Sequence, residues 1–250
     1  MAFRYSPKLP TNGLCFAWDG INHKCWDGSS VYHTELIGKS QGEKQGSNTL
    51  HKGYEPGTQT HIYFAGGGIN QSCYIEFQPG DITVPTGNEG TWMWAQKFVD
   101  SGNIDHPNFG KETTGTWSGT DGFVFGTGWG TDGPRWGIGG TAYTVYANET
   151  ISNADYRTNV WQIYVVTYQS NSATGLQTYL CDSNGTRLCD QRSTPASQIG
   201  TNGDPLRIGC TNQRSGNWNG YMDFVYMWDR ALTSKEVFDT FEVVRSKFGL

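Results

Sequence analysis

A chain of 250 residues with a net charge of −5 and only 16% charged side chains is long enough to bury roughly 70–75% of its unfolded surface in one core. The acidic balance and the absence of any Lys/Arg cluster exclude a general affinity for nucleic acid or anionic membrane. No stretch nears about 18 consecutive apolar residues, so no membrane-spanning helix is expected, and the 34 glycines keep no Gly-X-Y period, which removes collagen.

Residues 1–13 contain Pro7 and Pro10, show no periodicity and lack the apolar run of a secretory signal; they are expected to form an extended arm over a neighbouring subunit. Leu14–Asp19 reads as the first strand. The polar stretch from Gly20 to Thr60 offers only short strands, at Ser30–Ile37 and Ser47–Leu50. Ile62–Ala65 and Cys73–Phe77 flank a glycine-rich loop. Gly90–Phe98 is the strongest central strand: Trp92, Trp94 and Gln96 share one face, while Met93, Ala95 and Lys97 share the other, so both faces should be covered. Gly122–Gly126 and Arg135–Gly139 form an expected hairpin, with Thr141–Tyr146 following. Val160–Tyr168 and Leu176–Cys181 bracket a second hairpin, and Thr186–Cys189, Pro205–Gly209 and Tyr221–Trp228 complete the strands. The end of the chain carries the one clear helix signal. Thr233 is placed to cap it, Glu236 returns as the carboxylate of a capping box, and Val237, Phe238, Phe241, Val244 and Phe248 follow at helical spacing. The prediction is an all-β, two-sheet antiparallel sandwich with one short C-terminal helix. Residues 14–250 form a single domain with a loop-rich insertion at 100–140.

The chemistry-bearing residues are sparse. Six cysteines sit outside any CxxC pair, which argues against zinc; Cys15/Cys25 and Cys181/Cys189 could close small loops if oxidised, or all six are small core hydrophobes. Gly-x-Ser-x-Gly is absent, and the five histidines include no HExxH, so His33, His51 and His61 are expected on polar turns or edges. Glu76, Glu89 and Asp223 are isolated acids, whereas sugar hydrolysis needs two opposed carboxylates. No catalytic residues are assigned. Calcium, which takes carboxylate and carbonyl oxygens, is the one cofactor considered, with Asp19, Asn22, Asp121 and Asp132 as ligands; the competing reading is that these are turn residues. Trp117, Trp129 and Trp136, set among glycines, are the candidates for a sugar platform or a subunit interface, with core packing as the alternative. Arg230 is expected to pair with Asp229, Asp239 or a sheet-edge carbonyl, fixing how the helix returns across the sandwich.

The closing segment, Gly220 to Val237, resembles that of the concanavalin A-like, laminin-G-like jelly-roll superfamily. There a strand runs into an aromatic residue, then Asn or Asp, Arg-Ala-Leu, Ser or Thr, and Glu; Asp229, Arg230, Ala231, Leu232, Thr233 and Glu236 fall on those positions. Trp161-Gln162-Ile163-Tyr164-Val165 resembles the family strand in which Trp is usually followed by His, with Gln162 in its place. Leu176–Cys181 with Asp182-Ser183-Asn184-Gly185, and Gly90-Thr91-Trp92-Met93-Trp94, resemble two further strands. The opening Gly13–Asn22 is similar to a subgroup found in tailed-phage structural proteins. The resemblance implies a concanavalin A-like jelly roll acting as a non-catalytic interaction module: a capsid decoration or other exterior virion protein. Its partners would be the major capsid protein or other virion proteins in a multicopy assembly, and it would be made in the host cytoplasm without a signal peptide. The alternative is a lectin-like module that binds a host surface glycan. A polysaccharide-degrading enzyme is the third reading.

Overall fold

The computed structural model describes residues 8–27, 29–46, 50–53, 61–64, 73–99, 106–111, 122–127, 134–140, 143–144, 159–194, 196, 198–200, 203–210 and 220–250. In chain order the strands are β1 Leu14–Asp19, β2 Tyr32–Thr34, β3 Gln41–Gln45, β4 Leu50–Gly53, β5 His61–Phe64, β6 Tyr74–Phe77, β7 Glu89–Phe98 and β8 His106–Lys111. There follow β9 Gly122–Thr127, β10 Pro134–Gly140, β11 Tyr143–Thr144, β12 Trp161–Gln169, β13 Leu176–Asp182, β14 Gly185–Arg192, β15 Leu206–Ile208 and β16 Gly220–Trp228. Helix α1, Ser234–Val244, runs into a 3-10 turn at Arg245–Phe248.

Two antiparallel sheets of eight strands form a jelly-roll-like sandwich. The first has the order β14-β13-β12-β7-β16-β5-β4, with β1 also paired to β16; the second runs β11-β10-β9-β8-β15-β6-β3-β2. Side-chain alternation explains the layers. Trp92, Trp94, Tyr164, Val166, Val225 and Met227 point from the first sheet into the intersheet core, where they meet Ile75, Phe77, Phe109, Phe123, Phe125 and Trp136 from the second. The opposite face of the first sheet buries Met93, Ala95, Ile163, Val165, Phe224, Tyr226 and Trp228 under Val237, Phe241, Val244 and Phe248 of the helix and its following turn. Gly90–Phe98 is thus covered on both faces over most of its length, as its composition predicts. An 11-residue helix is marginal alone in water, so burial of its apolar stripe, at about 1.5–3 kcal/mol per large side chain, holds it in place.

Four features depart from expectation. The polar segment Gln41–Gln45 is a strand, because pairing with β2 and β6 supplies its backbone bonds whatever its side chains. The strand expected over Ser30–Ile37 shrinks to Tyr32–Thr34. There the buried Glu35 carboxylate accepts the Ile37 and Ser40 N–H groups at 2.8 and 3.3 Å and turns the chain. Within 100–140, β8, β9 and β10 are consecutive members of the second sheet, and the expected hairpin is the β9–β10 pair. Of the N-terminal arm, residues 8–13 bind this chain's own last strand and its continuation: Trp228 Nε1 donates to the Pro10 carbonyl at 2.8 Å and Asp229 N–H to that of Gly13 at 2.8 Å. Residues 1–7 lie outside the described residues. The six cysteines form no disulfide. No helix among the described residues is long and apolar enough to cross a membrane.

Candidate functional site

The closing motif is a structural lock. Thr233 Oγ1 accepts the Glu236 N–H at 3.3 Å, and the Glu236 carboxylate accepts the Thr233 N–H at 2.9 Å, completing the predicted capping box. Arg230 pairs with Glu236 rather than with Asp229 or Asp239, through two parallel bonds of 3.0 and 2.6 Å, while its Nε donates to the Asn12 carbonyl at 2.9 Å. The bidentate geometry wins because Glu236 is already aimed back at the cap. Asp229 is exposed, and its backbone carries the bond to Gly13. A side chain at Gly13, whose φ is +75°, would meet the Asp229 carboxylate at 2.6 Å, so only glycine fits this junction.

The sequence-predicted binding residues that lie among the described residues are each engaged within the fold. Trp136 is fully buried in the intersheet core, edge-on to Trp94 at 6.5 Å, because it occupies an inward position of β10; it is no surface platform. Trp117 and Trp129 lie outside the described residues, as do Asp121 and Asp132. The buried Asp19 carboxylate already holds a cation: Lys247 Nζ lies at 2.6 Å, with the Tyr226 hydroxyl at 3.2 Å. Asn22 is a turn residue whose side chain accepts the Lys24 N–H at 3.0 Å and whose carbonyl accepts those of Cys25 and Trp26. Glu76 and Glu89 belong to different sheets and serve as acceptors. The first takes Arg207 Nε at 2.8 Å, the second the Ala231 N–H at 3.3 Å. Among the described residues no three His, Cys, Asp or Glu side chains gather to hold a metal.

Two histidines expected on polar turns are instead fully buried. His33 stacks on Trp26 at 4.9 Å. His61, at the start of β5, shares a hydrogen bond through Nδ1 with Asp223 of β16, and both side chains are inaccessible. Asp223 is the extra residue of a β-bulge: Met222 faces Gln96 and Phe224 faces Ala95, so one residue of β16 has no counterpart on β7. The bulge re-aims the carboxylate toward β5, where it also accepts the Ile62 N–H at 3.0 Å. Burial pushes the Asp223 carboxyl up from its ordinary range, and the bond from His61 opposes that rise. The sequence signal for this pair was the acid interrupting the apolar run Tyr221–Trp228.

One row nearer the strand ends, cross-strand register aligns Tyr63 (β5), Tyr221 (β16), Lys97 (β7) and Trp161 (β12) on the outer face of the first sheet. Tyr63, Tyr221 and Lys97 are partly exposed, whereas Trp161 is 7% exposed. The two tyrosine rings lie 5.1 Å apart, Lys97 Nζ sits 5.6 Å from the Tyr221 centroid, and Trp161 stands 6.1 Å from Tyr221. His61 underlies the row, 4.5 Å from Trp161 and stacked against Phe248 at 6.0 Å. The arrangement presents aromatic faces beside a cation, backed by a buried polar pair. That composition suits a ligand with apolar C–H faces and polar edges.

The profile of the family described as the Concanavalin A-like lectin/glucanases superfamily matches residues 92–238, more than half of the chain. No protein of curated function matches the sequence. Among solved structures, domain 4 of AbnA, a GH43 extracellular arabinanase from Geobacillus stearothermophilus in complex with arabinotriose, superposes with a TM-score of 0.59 at 13% identity. That match covers 91% of this chain and 97% of that domain. The binding domain of botulinum neurotoxin DC in complex with SialylT gives 0.60 at 11% identity, over 93% of this chain and 52% of that one. The Trypanosoma rangeli sialidase in complex with a difluoro-KDN gives 0.57 at 11% identity, over 99% of this chain and 36% of the enzyme. The chain therefore spans about half of the toxin domain and about a third of the sialidase. At these identities the likeness establishes the fold.

Proposed function

This chain belongs to the concanavalin A-like lectin/glucanases superfamily, and on that premise we propose that it is a glycan-binding module whose sugar platform is the Tyr63–Tyr221–Lys97–Trp161 row. The observation that carries this reading is the pair of partly exposed tyrosines, their rings tilted at 52° and 5.1 Å apart beside a lysine, on a sheet face whose neighbouring rows are sealed by the C-terminal helix. Aromatic rings take the C–H face of a sugar, and Lys97 takes hydroxyl or acidic substituents at its edge. The arabinanase domain and the toxin domain, each solved with a saccharide, share this fold and support the reading by analogy. Binding is the whole activity in this reading, since the singled-out acids are each engaged as structural acceptors. It favours the lectin-like alternative over a purely structural role.

Glycan-array screening followed by calorimetry tests it. Saturable binding is expected, and Tyr221→Ala should weaken it by about 2 kcal/mol, about thirtyfold, as truncation of a central aromatic contact does. Wild-type affinity in Tyr221→Ala would place the sugar elsewhere. The likeness of the opening motif to tailed-phage modules adds a location, the exterior of a virion held by contacts with virion proteins. Mass spectrometry of purified particles checks that part separately.

A further inference from the structure

We propose that His61 and Trp161 form a hydroxyl-binding subsite beneath the platform, in which one ligand hydroxyl accepts the Trp161 indole N–H and donates to His61 Nε2. The inference rests on the glycan-binding reading and deepens it, by naming the group that specifies the sugar.

Two buried nitrogens carry the argument. His61 Nε2 and Trp161 Nε1 both lie out of reach of solvent, and neither has a hydrogen-bond partner among the described residues. Their rings are in contact, with centroids 4.5 Å apart. Buried polar groups are nearly always paired, so two orphans on touching rings call for an occupant. The chemistry of the pair selects it. Indole N–H only donates. Asp223 accepts from His61 Nδ1 and from the Ile62 N–H, which leaves the lone pair of the imidazole on Nε2. A donor and an acceptor on touching rings are both satisfied by a hydroxyl, which accepts and donates at once. A carboxylate can only accept and an ammonium only donate, so each would leave one nitrogen orphaned.

The surroundings fit the same occupant. Phe248 stacks on His61 at 6.0 Å and Tyr221 meets its edge at 6.5 Å, so the walls are aromatic and exclude bulk water. Trp161 lies beside Lys97 and Tyr221 of the platform, which puts the subsite at the platform's floor. Asp223 is then a positioning residue: its place in the bulge fixes the tautomer, and it need not touch the ligand. In the unliganded protein both nitrogens are closed off, so a sugar hydroxyl enters as the aromatic walls part and is then held by both bonds.

The test uses the intact chain and a panel of methyl glycosides of arabinose, galactose, glucose, mannose and N-acetylneuraminic acid, followed by monodeoxy analogues of the tightest binder. Three results are expected. One monodeoxy analogue binds the wild type roughly three- to tenfold more weakly than its parent. Trp161→Phe, which keeps an aromatic ring but removes the donor, weakens the parent by a similar factor and no longer discriminates against that analogue. The His61 Nε2 resonance in long-range 1H–15N spectra shifts with the parent and not with the analogue. If the wild type binds a glycoside but Trp161→Phe keeps the full preference against every analogue, no ligand hydroxyl enters the subsite and the inference falls while the platform stands. If no glycoside binds, the platform and the subsite fall together. The analogue series and the nitrogen shift are read on the wild type, so a misfolded variant cannot decide the outcome.

Discussion

Removing Arg230 should loosen the closure between the last strand, the helix and the N-terminal segment, and the structure sets the size of that loss. The Arg230 guanidinium holds Glu236 by two bonds and the Asn12 carbonyl by a third. Its hydrogen bonds, aided by those from Thr233, pull the Glu236 carboxyl down from 4.5 to about 2. At about 1.4 kcal/mol per unit the full shift would correspond to about 3 kcal/mol. With side chains 23% and 30% exposed the pair is screened, which brings the contribution to about 1–2 kcal/mol. Arg230→Ala should therefore lower Tm by roughly 2–8 °C at pH 7 for a domain of this size. A carboxyl depressed in the folded state stabilises above its unfolded value, and that stabilisation is lost as pH falls through the folded one. The difference between wild type and Arg230→Ala should thus be full above about pH 5 and shrink toward pH 2. Differential scanning calorimetry across that range is the assay. Equal melting at pH 7, or a gap that does not narrow on acidification, would refute the reasoning.

Asp223→Ala leaves His61 and the Ile62 N–H buried without an acceptor and should cost about 3–5 kcal/mol in urea unfolding; a loss under 1 kcal/mol would mean the pair is not closed as described. Burial pushes the thiols of Cys15, Cys25 and Cys181 up to about 12 and that of Cys73 to about 11. At pH 8 these four should label slowly in the native protein and quickly in guanidinium; rapid native labelling, or a mass deficit from a disulfide, would contradict this.

Much of the fold was legible because its signals are local. Leu14–Asp19 has the bounds the sequence suggests, Thr233 and Glu236 make the expected capping box, and the two-sided composition of Gly90–Phe98 foretold a covered outer face. The misses share a cause. Gln41–Gln45 and His106–Lys111 carry few apolar residues or a proline, and their strand character comes from neighbours distant in sequence. The site was less legible still. Trp136 looked like a platform because glycines surround it, but a ring's exposure depends on which face of its strand it occupies, and a one-residue register change reverses that face. His61 and Asp223 lie far apart in the chain, and although an acid interrupts the apolar run Tyr221–Trp228, nothing local says that it sits in a bulge or that His61 is its partner.

That bulge is what couples fold to site. Along β16, Met222, Val225 and Met227 fill the intersheet core, while Phe224, Tyr226 and Trp228 face the helix. Strict alternation from Trp228 backward would turn Tyr221 into the core and Met222 toward solvent. The inserted Asp223 resets the phase, so Met222 stays inside and Tyr221 reaches the outer row beside Tyr63 and Lys97. The Asp223 carbonyl accepts the Gly20 N–H at 2.7 Å where β1 ends, and its carboxylate ties β5 through His61 and Ile62. One residue thus sets the phase of the strand, the position of its neighbour and the orientation of the buried imidazole. Phe248, the last apolar residue of the helical cover, closes over that imidazole and leaves the next row partly open. The platform stands where the cover stops, and the acid that breaks the strand's alternation is what brings Tyr221 to it.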